Sequence, residues 1–430
     1  MRSFIKICIV GAGSSYTPEL IEGILEQDSI ELPIKCINLH DIDNRRLKIM
    51  ADLSKRMIAK KNSDIEVNSS TKLEEMVKDC DFIVTQIRVG GMDARYFDES
   101  IPLKYGIIGQ ETTGPGGMFK AVRTILPMLE IAKTVERYAP EAFILNYTNP
   151  SGIITEAVTK HTKAKIIGLC SIIPMLQEKL SLYLGDKYKD LKSYCVGLNH
   201  LGIIHKIISN GSDVTKKAVE YLYNEKKLGS VMYVDEDREF IEISKMMNGA
   251  LNPYLRYFFL RGRELEKEIS SDKTRAQIIM EIEKDIFIEA EDPKTDKKPL
   301  ALEKRGGKGY SDVTFSVMSA IYNNTGAEIV SIVKNNGTVE GIDDDASVEI
   351  VCRMDKNGAT PLPVGKIPLQ IRGIIQSVKA YESLTVEAVI KKDKNILKEA
   401  LINHPLGGDM DIIEPLIDEM IKALKIDFFK

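Results

Sequence analysis

The chain has 430 residues, 43% of them apolar and 28% charged, with a formal net charge of −4 at neutral pH. That length suffices for two or three domains with large cores, and the near balance of charge argues against a nucleic-acid or polyanion binder. No apolar run approaches the roughly 20 residues of a membrane span. The chain enters a strand almost at once, which leaves no room for a signal peptide, and its six scattered cysteines form no CxxC pair, so a cytoplasmic setting is expected.

Ile7-Cys8-Ile9-Val10 reads as a buried strand that stops at Gly11-Ala12-Gly13. A helix is predicted from Ser14-Ser15 onward, with Leu20, Ile21, Ile24 and Leu25 at helical spacing. Strand, glycine turn and helix N-terminus together make a phosphate cradle, because first-turn N–H groups lack partners and carry partial positive charge. Gly11 is expected to form the tight turn and Gly13 to admit a pyrophosphate. Tyr16 stands where the dinucleotide fingerprint usually has a third small residue. Residues 34–39 predict a second strand ending at His40-Asp41. Asp41 thus falls near the place where a carboxylate accepts hydrogen bonds from an adenosine ribose. Alternatively, Asp41 or Asp43 caps the helix predicted over 44–61.

A short strand over 64–68, a short helix over 73–77 and a fourth strand over 82–86 come next. Residues 88–117, rich in glycine and polar groups and carrying Arg88, Arg95 and Glu111, are expected to be a long functional loop. After a helix over 118–138, a fifth strand over 142–145 runs into the polar segment from Asn146 through Asn149 to Gly152. A sixth, over 165–169, ends at Cys170. This alternation predicts an α/β fold, a Rossmann-like doubly wound parallel sheet, over 1–195. Beyond it the rhythm changes. Paired strands over 194–198 and 203–208 flank Asn199-His200. Helices are predicted over 236–247, 253–268 and 273–289, then a loop over 291–310. Strands near 328–333 and 348–353 precede helices over 369–380, 386–403 and 412–424. Residues 196–430 are therefore expected to form an α+β catalytic or substrate domain.

Cys170 and His200 both follow strands expected to end on the same side of the molecule. A thiolate and an imidazole can hold a transition metal in an open site completed by substrate oxygens; equally, buried cysteines and packed histidines are ordinary core residues. Tyr254, in Asn252-Pro253-Tyr254, has the side chain of a base only if a nearby cation stabilises its phenolate; packing in an amphipathic helix is the plainer alternative. Arg95, Arg275 and Arg305 offer guanidinium forks to an anion such as a phosphate, or else form ion pairs.

Seven segments, in order, resemble glycoside hydrolase family 4: VGAGSSYTPEL from Val10, IPLKYGIIGQETTGPGG from Ile101, NYTNPSG from Asn146, GLC from Gly168, GLNHLG from Gly197, NPYLRY from Asn252 and KRGG from Lys304. The resemblance is to the family's 6-phospho-β-glucosidases above all. It implies that NAD⁺ takes hydride from C3 of the sugar, that a manganese ion polarises the oxygens at C2 and C3, and that a tyrosine removes the C2 proton. It further implies that the aglycone leaves by elimination, water adds, and hydride returns, a route that dispenses with the usual carboxylate pair. By the same resemblance, Cys170 and His200 match the metal ligands, Tyr254 the base, and Glu111 a carboxylate that raises that base's strength. Arg95 and Asn149 match substrate contacts and Arg275 a phosphate contact, and Asn199, which precedes the metal histidine, is expected to touch the sugar. Gly11, Gly13, Ser14, Ser15, Tyr16 and Asp41 would hold NAD. The implied substrate is a phosphorylated β-linked disaccharide or an aryl 6-phospho-β-glucoside, and the implied assembly a homodimer or homotetramer. One position departs: the residue after the metal cysteine is typically Asn in phospho-β-glucosidases and Asp in phospho-α-glucosidases, and here it is Ser171. The rival readings are an α-glycosidase of the same family, an NAD-dependent 2-hydroxy-acid dehydrogenase, and a nucleotide-sensing regulator.

Overall fold

A computed structural model describes residues 4–305 and 309–429; Gly306 and Gly307 of the KRGG segment lie outside the described residues. Its main sheet contains six parallel strands: β1 (Ile5–Val10), β2 (Ile34–His40), β3 (Glu66–Ser70), β4 (Phe82–Thr85), β5 (Phe143–Asn146) and β6 (Lys165–Gly168). They lie in the order 3-2-1-4-5-6, that of a dinucleotide-binding doubly wound sheet. Ile7, Cys8, Ile9 and Val10 are each at most 1% exposed. A parallel strand covered by helices on both faces needs this unbroken apolar run rather than an alternating one. Beyond β6 the same sheet continues with antiparallel strands Ala327–Lys334, Ser347–Asp355 and Gly358–Pro361. Residues far past 195 thus complete the sheet begun at residue 5.

Several predicted elements differ. The expected loop over 88–117 contains a helix, α4 (Gly91–Lys104), in the series α1 (Thr17–Leu25), α2 (Asn44–Lys60), α3 (Leu73–Val77), α4 and α5 (Gly114–Tyr138). Its inward face carries Asp98 and Glu99 beside Ala94 and Ile101. Helical spacing is therefore present without the apolar period that reveals it. The same cause hides the continuity of the helix Leu369–Lys391, whose buried positions include Lys379 and Glu382. Helix α1 starts at Thr17 rather than Ser14, with Pro18 in its first turn, where a missing N–H costs nothing. The helix predicted over 253–268 is broken into a 3₁₀ turn Pro253–Leu255 and helices Arg256–Phe259 and Arg261–Ile269.

A second, smaller sheet forms on the hairpin of β7 (Lys192–Leu198) and β8 (Leu201–Ser209), with Asn199-His200 as its two-residue turn. The strand Ala250–Leu251 pairs with Ile203 and Ile204 of β8, and the Asn252 N–H donates to the Gly202 carbonyl at 2.9 Å. This pairing carries Tyr254 to the hairpin tip.

Candidate active site

The strand order reverses between β1 and β4, and ligands of such sheets bind in the crevice at that point. Gly11 has φ +90°, and a Cβ there would lie 3.0 Å from the Gln86 backbone. Only glycine permits both the turn and the close approach. The Gly13 N–H donates to Asp41 Oδ2 at 2.8 Å, and the Arg46 guanidinium donates to the Gly13 carbonyl at 2.9 Å. Asp43 caps α2 by accepting from the backbone N–H groups of Arg45 and Arg46. The two aspartates divide the candidate roles: Asp43 caps, while Asp41 anchors the glycine turn and remains half-buried at the crevice. Ser14 Oγ accepts from the Tyr16 N–H at 3.2 Å.

The side chains of Ser15 and Tyr16 are committed to the protein. Ser15 is fully buried, donates to Glu283 at 2.9 Å and accepts from Arg305. Arg305 pairs with Glu283 at 3.0 Å and lies over the Tyr16 ring at 4.2 Å. Tyr16 stacks on Tyr310 at 5.4 Å. Arg305, read as an anion site, is thus a buried ion pair that braces the turn. What Ser15 and Tyr16 can offer a dinucleotide is backbone.

Across the crevice stand the residues expected to do chemistry. Cys170 follows β6, Asn149 follows β5, and His200 occupies the hairpin turn with φ +64°. That left-handed backbone is rarely adopted by a non-glycine residue and tends to persist at functional sites. The His200 ring lies flat on Tyr254, centroids 4.1 Å apart and planes 8° from parallel. Burial, then the positive charge of Lys120, lowers the His200 pKa to about 4, so its imidazole is neutral. Burial raises the Tyr254 phenol, with further upward pushes from Tyr257, Glu111 and Cys170; Arg95 opposes them. Burial and the Glu349 carboxyl likewise raise the Cys170 thiol. Both amide atoms of Asn199 are buried without a hydrogen-bond partner among the described residues.

Glu111 is the hub of a buried charge cluster. It pairs with Arg88, with Lys120 at 2.7 Å and with Arg95 at 3.1 Å. Burial opposes its charge, but these three cations hold the carboxyl well below its ordinary range. Arg95 also donates to Glu99 at 2.7 Å, and Glu99 accepts the Ala276 N–H at 2.6 Å. Arg95 is thereby fixed between Glu111 and Tyr254. Sequence reasoning assigns Arg88 and Lys120 no role, since only folding places them on Glu111. Arg275 opens the helix Arg275–Glu291, is exposed, and donates to the Arg305 carbonyl at 3.0 Å. Ser171 is buried as the N-cap of the helix Ile172–Leu184, with no side-chain capping bond.

The donor set suits a divalent transition metal. A thiol and a neutral imidazole flank Tyr254, and the buried His200 Nδ1 and Asn149 Oδ1 have no hydrogen-bond partner. Among the described residues, no group of three or more His, Cys, Asp or Glu side chains could hold a metal. Any ion here would sit in an open site and take further ligands from water or substrate.

Fold and site together define a Rossmann-type enzyme whose nucleotide crevice opens onto a thiol, an imidazole and a phenol. The model of the family 4 glycosyl hydrolases matches residues 6–185, and that of their C-terminal domain residues 195–407. The chain belongs to glycosyl hydrolase family 4. It is 37% identical to a 6-phospho-beta-glucosidase of Thermotoga maritima, covering 97% of this chain and 98% of that one. It is 36% identical to a probable 6-phospho-beta-glucosidase of Bacillus subtilis, covering 99% and 97%. A solved structure of the Thermotoga maritima enzyme with manganese, NAD⁺ and glucose-6-phosphate superposes with a TM-score of 0.88 at 34% identity, over 98% of each chain.

Proposed function

We propose that this chain is an NAD⁺- and divalent-metal-dependent 6-phospho-β-glucosidase. The observation that carries the reading is the placement of Tyr254 flat on His200, beside Cys170 and Glu111, at the carboxyl edge of a dinucleotide-binding sheet. The names of its relatives support the phosphorylated β-glucoside as substrate. Division of labour near residue 195 fits the two family models: the cofactor crevice lies before it, and Asn199, His200 and Tyr254 lie after.

NAD⁺, when bound, supplies a reversible hydride acceptor, and a divalent ion held by Cys170 and His200 supplies a Lewis acid. Gly11 and Gly13 clear space for the pyrophosphate, and Asp41 faces the ribose. Oxidation at one sugar carbon acidifies the proton on its neighbour, and the Tyr254 phenolate takes that proton. Glu111 makes the phenolate a stronger base by raising its pKa, while Arg95 steadies the negative charge. With three cations on one carboxylate, the cluster keeps Glu111 ionised throughout. Asn149 offers its carbonyl oxygen to the sugar, and Arg275 its guanidinium to the 6-phosphate. Ser171 presents a hydroxyl where its family relatives carry an amide or a carboxyl.

The test uses the purified protein and a chromogenic 6-phospho-β-glucoside, with the corresponding α-linked and unphosphorylated compounds alongside. Release of aglycone only with the phosphorylated β-compound, NAD⁺ and Mn²⁺ is expected. Cofactor-independent hydrolysis would refute the mechanism, and preference for the α-linked compound would refute the anomer.

A further inference from the structure

Glu99 lies on the inward face of α4, one helical turn after Arg95, and is 4% exposed. A carboxylate so buried must be paired, and its two oxygens have separate partners. Oε1 accepts from Arg95 Nε at 2.7 Å, and Oε2 accepts the Ala276 N–H at 2.6 Å. The first contact leaves Arg95 little freedom, because its Nη1 already lies 3.1 Å from Glu111 Oε1. Among the described residues Nη2 is then the guanidinium nitrogen left over for a ligand. The second contact fixes the start of the helix Arg275–Glu291. Ala276 is its second residue, where a carboxylate also suits the positive end of the helix dipole. Thr274 caps the same turn by accepting the Gln277 N–H at 3.3 Å. Arg275, the first residue, is exposed and in no ion pair among the described residues; a neutral carbonyl, that of Arg305, holds its guanidinium. Its charge stays available to an anion. The loop that carries Glu111 rests on Glu99 as well, since a Cβ at Gly109 would collide with the Glu99 carbonyl oxygen.

We propose that Glu99 is a positioning residue for the phosphorylated sugar: one carboxylate fixes both the Arg95 guanidinium and the helix start that presents Arg275, and so sets the span between the sugar contact and the phosphate contact. The inference rests on the reading of Arg95 and Arg275 as contacts to a 6-phosphorylated sugar. Geometry makes Glu99 hard to replace. Two donors point at it, the Arg95 Nε–H and the Ala276 N–H, so an amide in its place turns an NH₂ donor toward one of them. Aspartate is one methylene short for two contacts that both stand at hydrogen-bond length.

The experiment measures glucose 6-phosphate affinity by calorimetric titration of the full-length protein with NAD⁺ and Mn²⁺ present, for wild type, Glu99→Gln, Arg275→Ala and the double variant. NAD⁺ affinity and thermal unfolding are read on the same proteins. Glu99→Gln is expected to weaken glucose 6-phosphate by about 10–100-fold, the effect of losing a hydrogen bond to a charged group, with NAD⁺ affinity unchanged. KM for a chromogenic 6-phospho-β-glucoside should rise by more than kcat falls, because binding rather than chemistry is lost; a fall in kcat with KM unchanged overturns the inference. The double variant should fall short of the product of the two single losses by more than about threefold, because Glu99 acts in part through Arg275. Losses that simply multiply overturn the inference. So does a Glu99→Gln protein that loses NAD⁺ and glucose 6-phosphate affinity in step with a lower melting temperature, the mark of a purely structural carboxylate. Should Glu99→Gln not fold, Glu99→Asp, which keeps the charge and shortens the reach, takes its place with the same expectations. Wild-type affinity in Arg275→Ala refutes the phosphate reading and this inference with it. Weaker binding in Arg275→Ala with the Glu99 variant unaltered refutes this inference alone.

Discussion

Tyr254 and His200 are stacked face to face, 4.1 Å between ring centroids, although hairpin and helices separate them in the chain. The contact couples the proposed base to the proposed metal ligand. A cation held by His200 on one side would lie close to the phenol it must help to ionise, while burial and the Glu111 carboxylate push the phenol the other way. Substituting Tyr254→Phe keeps the stack and removes the acid–base group. Turnover should fall by about 10²–10⁴-fold, with NAD⁺ affinity unchanged by fluorescence titration. In wild type, a substrate deuterated at C2 should lose its label to solvent, and full retention would place proton removal elsewhere.

Cys170→Ser replaces a soft ligand by a hard, protonated one. Loss of Mn²⁺ affinity should exceed the roughly 10–100-fold typical of outer-shell changes, as followed by chelator competition. Near-normal affinity would exclude the thiol as a ligand.

Glu111→Gln leaves Arg88, Arg95 and Lys120 gathered around a neutral amide. Breaking a buried ion pair from one side costs about 3–5 kcal/mol. A loss of that order is expected from urea unfolding at pH 7, together with slower turnover from a weaker Tyr254 base. A stability change within about 0.5 kcal/mol, the scatter of ordinary surface substitutions, would show that the cluster is not the anchor its geometry suggests.

At Gly11, alanine must adopt φ +90° and place a Cβ 3.0 Å from the Gln86 backbone. Strain of about 1–3 kcal/mol is expected, and relief by shifting the turn should weaken NAD⁺ binding. Calorimetric titration of NAD⁺ into Gly11→Ala checks this, and wild-type affinity would contradict it.

His404 supplies a pH signature. Its Nδ1 accepts the Leu406 N–H at 3.0 Å, and its Nε2 lies 3.1 Å from Thr113 Oγ1 and accepts the Gly114 N–H at 3.3 Å. Burial lowers its pKa from 6.5 to about 3. The unfolded chain therefore gains the proton first as pH falls, and stability is lost progressively from about pH 6.5 toward about 3. Between about pH 7 and 5.5 this one group should cost about 1 kcal/mol. Urea titrations at the two pH values should show a smaller drop for His404→Gln than for wild type, and equal drops would refute the assignment.

Much of this is legible in the residues themselves. The apolar runs at Ile7–Val10 and Phe82–Val84, the first of them closed by Gly11 and Gly13, specify parallel strands and a cradle, because burial on both faces and a positive-φ turn leave few alternatives. The ordered motifs around Cys170, His200 and Tyr254 name the chemistry. Helix α4 and the length of the helix Leu369–Lys391 are not legible, because their inward faces carry Asp98, Glu99, Lys379 and Glu382 in place of apolar residues. Local pattern cannot tell a solvated charge from one buried against a distant partner. Only the tertiary structure decides that Ser15 faces Glu283 and Arg305 and that three cations converge on Glu111. Each of those relationships depends on residues that folding, rather than local sequence, brings together. Their energy depends on desolvation and pairing that exist only once the chain has closed around them.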